Sequence, residues 1–293
     1  MDWESVCSHI ARVTDTNSAL VKVVSVTGGD INRSCILHTT DKSYFVKSNR
    51  PDLLDMFKAE SDGLRELARA GAIRAPAPVC TGYTSDQAYS VMQLVELFVL
   101  GATSEARLGE QLAAQHRATT ESFGWHRDNT IGSTPQINTL TDDWVDFFKL
   151  HRLGYQLNLA KDNGANAALI DKGGRLLHLL PHFFTGYQPI PSLLHGDLWR
   201  GNVAADNNDN PVIFDPAVYY GDREADIAMT ELFGGFSHQF YAAYQNAWPL
   251  DPGYATRKHL YNLYHILNHY NLFGASYTAQ AEHMIERLLS EVR

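Results

Sequence analysis

The chain has 293 residues, of which 44% are hydrophobic and 19% charged, the composition of a globular protein with a substantial core. Its formal charge is −9, from 24 basic and 33 acidic residues. This balance argues against nucleic acid or an anionic membrane as the main partner, because both need a basic surface.

The cysteine content favours a reducing compartment, and the hydropathy pattern shows no membrane-spanning segment. Cys7, Cys35 and Cys80 lack the spacing of a disulfide framework or a metal site. No apolar run approaches the roughly 20 residues that span a bilayer, and the first residues lack a secretory pattern. We therefore expect unpaired structural cysteines and a cytoplasmic protein.

The first hundred residues predict a small mixed sheet with one helix. Segments rich in β-branched and aromatic residues predict strands at 20–27, 35–39 and 44–47. Turn-forming residues separate them, at 28–30 and 41–42. The apolar spacing of 53–70 predicts a helix, which prolines at 76–78 follow, and β-like segments continue to residue 97.

Helical patterns dominate the rest of the chain. They cover residues 104–117, 142–160, 165–180, 224–232, 237–247, 257–273 and 279–292. Two β-like pieces, 203–205 and 211–214, flank an asparagine-rich turn. We predict an α+β protein in two lobes, a β-rich N-terminal lobe of residues 1–95 and a mainly helical C-terminal lobe of residues 96–293.

The stretch with the clearest chemistry is L-H-G-D-L-W-R-G-N at 194–202, followed by F-D-P at 214–216. Phosphoryl transfer needs a carboxylate that orients and deprotonates the attacking hydroxyl, and oxygen ligands for Mg²⁺. Asp197, Asn202 and Asp215 have the spacing of a kinase catalytic loop and its metal-binding aspartate. Such residues also favour turns, but their register between two strands predicts Asp197 as the base and Asn202 and Asp215 as metal ligands.

A lysine and a glutamate upstream are candidates for the nucleotide side of the site. Lys47 ends a predicted strand, and Glu60 is the one charge in the apolar stripe of the following helix. A buried carboxylate needs a partner, so we predict a Lys47–Glu60 pair that positions the lysine on ATP phosphates. Taken alone, an exposed glutamate and a strand-end lysine would be the simpler interpretation.

Two further segments are candidates for nucleotide binding. Gly28 and Gly29 lie between strands, where backbone N–H groups could cover phosphates, although paired glycines are common in hairpins and no complete glycine-rich motif is present. Residues 90–95 would form the strand and hinge beside adenine, using backbone groups; the hinge residues are Met92, Gln93, Leu94 and Val95.

Asp226 begins a predicted helix shortly after the metal loop. In kinase-like folds a carboxylate at this place commonly holds the backbone of the catalytic loop, but an acid favoured by the helix dipole is an equally good interpretation. His259, His265 and His269 have no matching cysteine or carboxylate cluster, so we interpret them as core or interface residues rather than metal ligands.

Taken together, these motifs resemble the fructosamine kinase (ketosamine kinase) family over nearly the whole chain. The family signature L-H-G-D-L-W-S-G-N is matched at 194–202 with Arg200 in place of the usual serine. Other matching blocks lie at 45–49, 108–116, 128–138, 142–153, 214–224 and 232–236. Aminoglycoside and choline kinases share H-G-D and a metal aspartate but lack the tryptophan and most of these blocks.

The resemblance implies a bilobal protein-kinase-like fold that uses ATP and Mg²⁺, with the roles given above for the lysine, the base and the metal ligands. His195 and Asp226 would support the catalytic loop. The implied reaction is phosphorylation of the 3-hydroxyl of a ketosamine, which makes the adduct labile and returns the free amine. This reaction is deglycation repair.

Trp199 and Arg200 lie within the motif at 194–202, and Asp30 lies in the glycine turn at 28–30. Trp199 could form an aromatic wall for the sugar-amine, with a cation–π attraction of about 0.5–2 kcal/mol, or it could pack in the core. Arg200 could bind a substrate phosphate or point to solvent. Asp30 aligns where some relatives carry a cysteine, so we expect no redox switch there.

Two other functions remain open on the sequence alone. One is a kinase for another hydroxylated amine, such as an aminoglycoside or choline, whose motif core would be the same. The other is a nucleotide-binding pseudokinase, which would typically lack the lysine, the base or the metal aspartate that this chain retains. The sequence leaves open which ketosamine is used, whether it is a small molecule or a glycated protein lysine, and the oligomeric state.

Overall fold

A computed structural model of the chain describes residues 1–27 and 31–292. Its N-terminal part contains helices α1 (Trp3–Thr14) and α2 (Leu54–Ala70). Five antiparallel strands complete this part: β1 (Leu20–Val26), β2 (Arg33–Thr39), β3 (Ser43–Asn49), β4 (Pro78–Tyr83) and β5 (Ala88–Gln93). They form one sheet in the order β1-β2-β3-β5-β4. Helix α1 packs on β4, and α2 packs on β4 and β5.

Helix α1 is an element that the sequence-based prediction missed. The Asp2 carboxylate caps its first turn by accepting a hydrogen bond from the Ser5 amide at 3.1 Å. Three residues on one side, Val6, Cys7 and Ile10, are fully buried against the sheet. The helix therefore completes the smaller hydrophobic core of the protein.

The strands and helix predicted between residues 20 and 70 are confirmed, within a few residues at their ends. The β-like segment predicted to reach residue 97 is wrong at its end, because β5 stops at Gln93. The predicted turn with Gly28 and Gly29 lies outside the described residues.

The rest of the chain is mainly helical, as predicted. Its helices are α3 (Ala102–His116), α4 (Trp144–Phe147), α5 (Gly154–Asp162), α6 (Ala167–Leu179), α7 (Glu224–Leu232), α8 (His238–Ala247), α9 (Tyr254–Phe273) and α10 (Thr278–Glu291). The helix predicted at 142–160 is interrupted by a π-helical segment, Phe148–Leu153, which joins α4 to α5.

Three short antiparallel pairs of strands lie among these helices. They are β6 (Asn129–Ile131) with β7 (Thr134–Gln136), β8 (Ser192–Leu194) with β11 (Tyr219–Gly221), and β9 (Val203–Ala205) with β10 (Pro211–Ile213). Only the last pair was predicted. The structure is α+β, and the division at residues 95 and 96 stays a prediction.

Two hydrophobic clusters hold the protein together. The larger cluster joins the helices of the C-terminal part and includes Leu67 of α2. The smaller one lies between α1 and the sheet and contains all three cysteines, Cys7, Cys35 and Cys80, each buried and unpaired. Within the described ranges, no helix has the combined length and apolar character needed to cross a membrane.

Candidate active site

Two loops form the centre of the candidate site: the HGD loop, residues 194–202, and the DP loop, residues 214–217. The hairpin β9–β10 connects them and brings their ends together. The Phe214 amide donates to the Asn202 carbonyl at 3.1 Å, and the Ala217 amide donates to the His195 carbonyl at 2.8 Å. As predicted from their spacing, Asp215 is therefore returned to the side of Asn202.

Asp197 lies in the HGD loop and is held by Asn202. The Asn202 Nδ2 donates to the Asp197 carbonyl at 2.9 Å and to the Asp197 Oδ2 at 3.1 Å. The other side-chain atom, Asn202 Oδ1, is thereby available as a metal ligand. Burial raises the pKa of Asp197 to about 7. The negative charges of Asp215 and Asp226 also raise this pKa, whereas the hydrogen bond from Asn202 lowers it. A carboxylate with this pKa is suited to accept a proton near neutral pH.

Lys47 joins the sheet to the DP loop. Its Nζ donates to Glu60 Oε1 and, at 2.5 Å, to Asp215 Oδ1. Although burial disfavours the charge of Lys47, the carboxylates of Glu60 and Asp215 raise its pKa above the ordinary value. The Lys47–Glu60 pair thus forms as predicted, and the lysine stays cationic beside the half-exposed Asp215 carboxylate.

The position of Glu60 depends on close packing of α2 against the chain that follows the DP loop. Gly63 of α2 faces Val218, and a Cβ built at Gly63 would lie 3.1 Å from a Val218 methyl group. One turn further, Tyr220 Oη donates to Glu66 Oε1 at 2.8 Å. Helix α2 is therefore fixed to the same segment that carries the candidate metal ligand.

His195 is fully buried and connects the two loops. Its Nε2–H donates to the Phe214 carbonyl at 3.0 Å, and its Nδ1 accepts the Asp197 amide at 3.3 Å. These two bonds define a neutral imidazole, and burial lowers the pKa of His195 in agreement. His195 therefore links the HGD loop to the DP loop through hydrogen bonds of its neutral ring.

Asp226 lies under the HGD loop, at the start of α7. Its carboxylate accepts the His195 amide at 2.7 Å, the Gly196 amide at 2.9 Å and His116 Nε2 at 3.2 Å. Burial opposes its ionisation, but the hydrogen bonds from His116 and the Gly196 amide outweigh burial and lower the pKa of Asp226. These contacts favour the loop-holding interpretation over a simple helix-dipole acid.

Gly196 is required at the turn of the HGD loop. Its φ is +82°, and a Cβ built there would lie 2.0 Å from the Ala217 carbonyl oxygen. Asp215, which has a side chain, also adopts a left-handed conformation with φ of +57°. Backbone strain of this kind is common at functional sites.

Sequence reasoning missed several supporting residues. His116, at the end of α3, bonds Asp226, and its other ring nitrogen lies 2.9 Å from Tyr244 Oη. Gln136 Nε2 donates to the Ala217 carbonyl at 3.0 Å, and Asn129 Nδ2 donates to the Val218 carbonyl at 2.7 Å. The matching blocks at 108–116 and 128–138 contained these residues, but nothing in the blocks indicated which backbone groups they would bind.

Trp199 belongs to the HGD loop and lies at the surface rather than in the core. Its side chain is 37% exposed, and its ring packs edge-to-face on Phe233 with centroids 6.0 Å apart. Gly201 lies under the indole, since a Cβ built there would approach the ring to 2.3 Å. His269 continues the row, with its ring tilted by 45° to that of Phe233 and the ring centroids 4.9 Å apart.

The Arg200 side chain is 44% exposed, and two hydrogen bonds hold its guanidinium. Its Nη2 donates to Glu105 Oε1 at 2.7 Å, and its Nε donates to the Gly235 carbonyl at 3.1 Å. These contacts show a paired, partly exposed side chain, and phosphate binding by Arg200 stays a prediction.

The predicted hinge includes the last two residues of β5 and the two residues after it. Met92 is buried within the strand and Gln93 is exposed. The next two residues, Leu94 and Val95, are partly buried and lie outside the strands. The chain pairs again only at Phe98, whose backbone exchanges two 2.8 Å hydrogen bonds with Ala205.

The residues at the centre fit Mg²⁺ by their chemistry. Asn202 Oδ1 and the Asp215 carboxylate are hard oxygen donors, and Mg²⁺ is usually bound by one or two carboxylates together with substrate phosphates. In the part of the chain that the structure describes, no group of three or more His, Cys, Asp or Glu residues is arranged to hold a metal. His265 is buried in α9, and burial lowers its pKa to about 3, in line with a neutral core residue.

Fold and site together define a phosphotransferase with a protein-kinase-like architecture. The model of the family described as "Fructosamine kinase" matches residues 2–291, and the chain belongs to this family. It is 45% identical to a Synechocystis protein whose name gives it as a probable ketoamine kinase, covering 98% of this chain and 97% of that protein. It is also 44% identical to the chloroplastic protein-ribulosamine 3-kinase of Arabidopsis thaliana, covering 92% and 83%.

Solved structures give the same grouping. A crystal structure from Haemophilus somnus, provisionally assigned as a fructosamine-3-kinase, superposes with a TM-score of 0.90 at 28% identity, covering 98% of this chain and 97% of that one. The aminoglycoside phosphotransferase APH(4)-Ia, in a ternary complex with ADP and hygromycin B, shares the fold with a TM-score of 0.66 at 16% identity, covering 98% of both chains. Membership of a kinase family implies that the chain uses ATP.

Proposed function

We propose that this chain is an ATP- and Mg²⁺-dependent kinase that phosphorylates the 3-hydroxyl of a ketosamine of the fructosamine or ribulosamine type. The observation that carries the proposal is the convergence of Lys47, Asp197, Asn202 and Asp215 in a member of the fructosamine kinase family. The names of the relatives support the substrate class, since they contain the terms ketoamine and protein-ribulosamine.

Asp197 would act as the catalytic base. It would accept a hydrogen bond from the sugar hydroxyl, orient its oxygen toward the γ-phosphate and take its proton as the bond to phosphorus forms. Asn202 fixes the carboxylate through its two hydrogen bonds. The pKa of about 7 that burial gives Asp197 supports this role.

The nucleotide side is supported by the buried lysine. Lys47 would donate to ATP phosphates, and Glu60 would hold its ammonium group in place as it does in this structure. Asn202 Oδ1 and the Asp215 carboxylate would hold Mg²⁺. When bound, the ion would neutralise charge on the phosphates.

Adenine would lie against the segment between β5 and Phe98, bound by backbone groups of the hinge residues Met92, Gln93, Leu94 and Val95. This placement agrees with a boundary between an N-terminal lobe of residues 1–95 and a C-terminal lobe of residues 96–293. Gly28 and Gly29, which lie outside the described residues, are proposed to cover the phosphates.

Trp199 would form one wall of the ketosamine site. Its partly exposed ring adjoins the loop of the base, and a protonated amine over an indole face gains about 0.5–2 kcal/mol. The ketosamine could be a small molecule or a glycated protein lysine. Phosphorylation at the 3-hydroxyl would make the adduct labile and return the amine, a repair of glycation.

A cytoplasmic location is proposed from the three buried, unpaired cysteines, which suit a reducing compartment. A kinase for another hydroxylated amine is the second candidate, and the fold shared with APH(4)-Ia favours keeping it in the test. A pseudokinase is disfavoured because the lysine, the base and both candidate metal ligands are present together.

The test is a substrate panel analysed by mass spectrometry and NMR. The protein is incubated with ATP, Mg²⁺ and a mixture of fructosamine, ribulosamine, aminoglycoside and choline. The proposal predicts that a ketosamine gains one phosphate and that ³¹P–¹H coupling places it on the 3-oxygen. A phosphate gained only by the aminoglycoside or choline would replace the proposal with the second candidate.

A further inference from the structure

Arg200 makes contacts that the phosphoryl-transfer site does not need. Besides the bonds of its side chain to Glu105 and the Gly235 carbonyl, its guanidinium lies 5.1 Å from the centre of the Phe236 ring. The second carboxylate oxygen of Glu105 accepts the Ser237 amide at 2.5 Å. One guanidinium–carboxylate pair is therefore bonded to both ends of the segment 235–237.

This segment belongs to the turn between α7 and α8. Gly234 and Gly235 both have left-handed backbones, with φ of +89° and +70°. Glycines allow several conformations at little cost, so contacts from outside the turn must select its shape. Phe233, the residue directly before the turn, packs its ring against Trp199 with planes 72° apart.

Glu105 is a strong anchor for the turn because it is a buried carboxylate on α3. Burial alone would raise its pKa, but the hydrogen bonds from Ser237 and Arg200 lower the pKa below its ordinary value. Charge-assisted bonds of this kind are stronger than neutral ones. Without Arg200, Glu105 Oε1 would lose the partner that it has in this structure.

We propose that Arg200 is a positioning residue for substrate binding, which acts through Glu105 and the turn 234–237 to hold Phe233 against Trp199. The indole ring is thereby fixed beside the HGD loop. Serine, the residue usual in the family at this position, is too short to reach both Glu105 and the Gly235 carbonyl. The inference rests on the proposed function only in assigning Trp199 to the ketosamine.

The first test is kinetic and uses Arg200→Ser, with Arg200→Lys as the conservative variant. Arg200→Ser should raise KM for the ketosamine about 5- to 10-fold while kcat and KM for ATP change less than about twofold, the pattern of lost substrate binding. Arg200→Lys keeps the charge but not the planar fork and should fall between Arg200→Ser and the wild type. The matched control is Lys172→Ser, which breaks a solvent-exposed pair with Glu286 and should leave both KM values unchanged.

A double-mutant cycle separates positioning from a general structural effect. Glu105→Gln should raise KM for the ketosamine like Arg200→Ser, and the double variant should be no worse than either single variant. Additive effects of the two substitutions on KM for the ketosamine would overturn the proposal. A loss of kcat together with changes in KM for both the ketosamine and ATP would overturn it as well.

The second test needs no turnover. Acrylamide quenching of Trp199 fluorescence, taken as the difference between each protein and its Trp199→Phe version, should increase in Arg200→Ser because the ring is less firmly held. Unchanged quenching would overturn the inference. If the wild type shows no ketosamine-dependent turnover, the proposed function fails, and this quenching result alone decides the role of Arg200.

Discussion

Replacement of Asp226 by asparagine tests how the HGD loop is held. The carboxylate accepts two backbone amides, from His195 and Gly196, and a third bond from His116. Asparagine keeps one acceptor oxygen and turns an N–H donor toward a group that is itself a donor. At least one charge-assisted bond is lost, and a buried amide is left without an acceptor.

The magnitude follows from these contacts. A hydrogen bond to a charged group is worth about 1.5–3 kcal/mol, and an unsatisfied buried donor costs about 1–3 kcal/mol. We expect the free energy of unfolding to fall by about 3 kcal/mol, which leaves a protein of ordinary stability folded. Because the released loop carries Asp197, kcat should fall about 10²-fold, the effect of a displacement of about 1 Å.

The assay pairs urea unfolding with steady-state kinetics and uses Asp222→Asn as the matched control. Asp222 is an equally buried carboxylate, but it accepts the hydroxyls of Tyr187 and Tyr261 rather than the HGD loop. Its replacement should reduce stability while changing kcat less than about threefold, since its partners do not touch the base. Equal losses of kcat in the two variants would refute the loop-holding role.

The pH dependence gives a second check with a defined sign. The pKa of Asp226 is lowered in the folded protein, so its contribution to stability is present above the ordinary aspartate pKa of about 3.9 and is lost as pH falls through the lowered value. The difference in unfolding free energy between wild type and Asp226→Asn should therefore narrow on acidification from pH 7 to below pH 4. A constant difference would contradict the reasoning.

Three further predictions concern other parts of the site. Lys47→Met leaves the two carboxylates that it pairs with uncompensated and should lower kcat/KM for ATP at least about 10²-fold by steady-state kinetics; unchanged nucleotide use would exclude its role. Trp199→Leu should raise KM for ketosamines about tenfold, equivalent to about 1.4 kcal/mol, with KM for ATP unchanged; equal effects on both would refute a substrate contact. Gly196→Ala should unfold the protein or destabilise it by more than about 3 kcal/mol, because the added Cβ would meet the Ala217 carbonyl oxygen. The control Gly174→Ala, on the open face of α6, should stabilise the protein by about 0.5–1 kcal/mol. Similar urea unfolding midpoints for the two variants would contradict this.

The sequence predicted those parts of the fold in which local pattern and tertiary contacts agree. The strand before Lys47 and the helix carrying Glu60 have clear periodicity, and the Lys47–Glu60 pair forms as expected. The hairpin β9–β10 was readable because the asparagine-rich turn separates two apolar pieces. Local chemistry was sufficient in each case.

Other elements depend on distant partners. Strands β8 and β11 have three residues each and exist because they pair with each other across 25 residues of chain. Residues 148–153 have an ordinary helical pattern in the sequence, but in the structure they form a π-helical segment that contains the buried Arg152. The partners of Arg200 are likewise 95 and 35 residues away, so the sequence-based interpretations did not include its pairing with Glu105.

The central claim is that the Asp197 carboxylate deprotonates a ketosamine hydroxyl beside a nucleotide held by Lys47 and Asp215. Its most direct test is a single-turnover measurement of phosphate transfer by Asp197→Asn, together with the Kd for ATP and Mg²⁺. The account predicts that transfer slows by about 10²–10⁴-fold while the Kd stays within about twofold of the wild-type value. Transfer at the wild-type rate would contradict it.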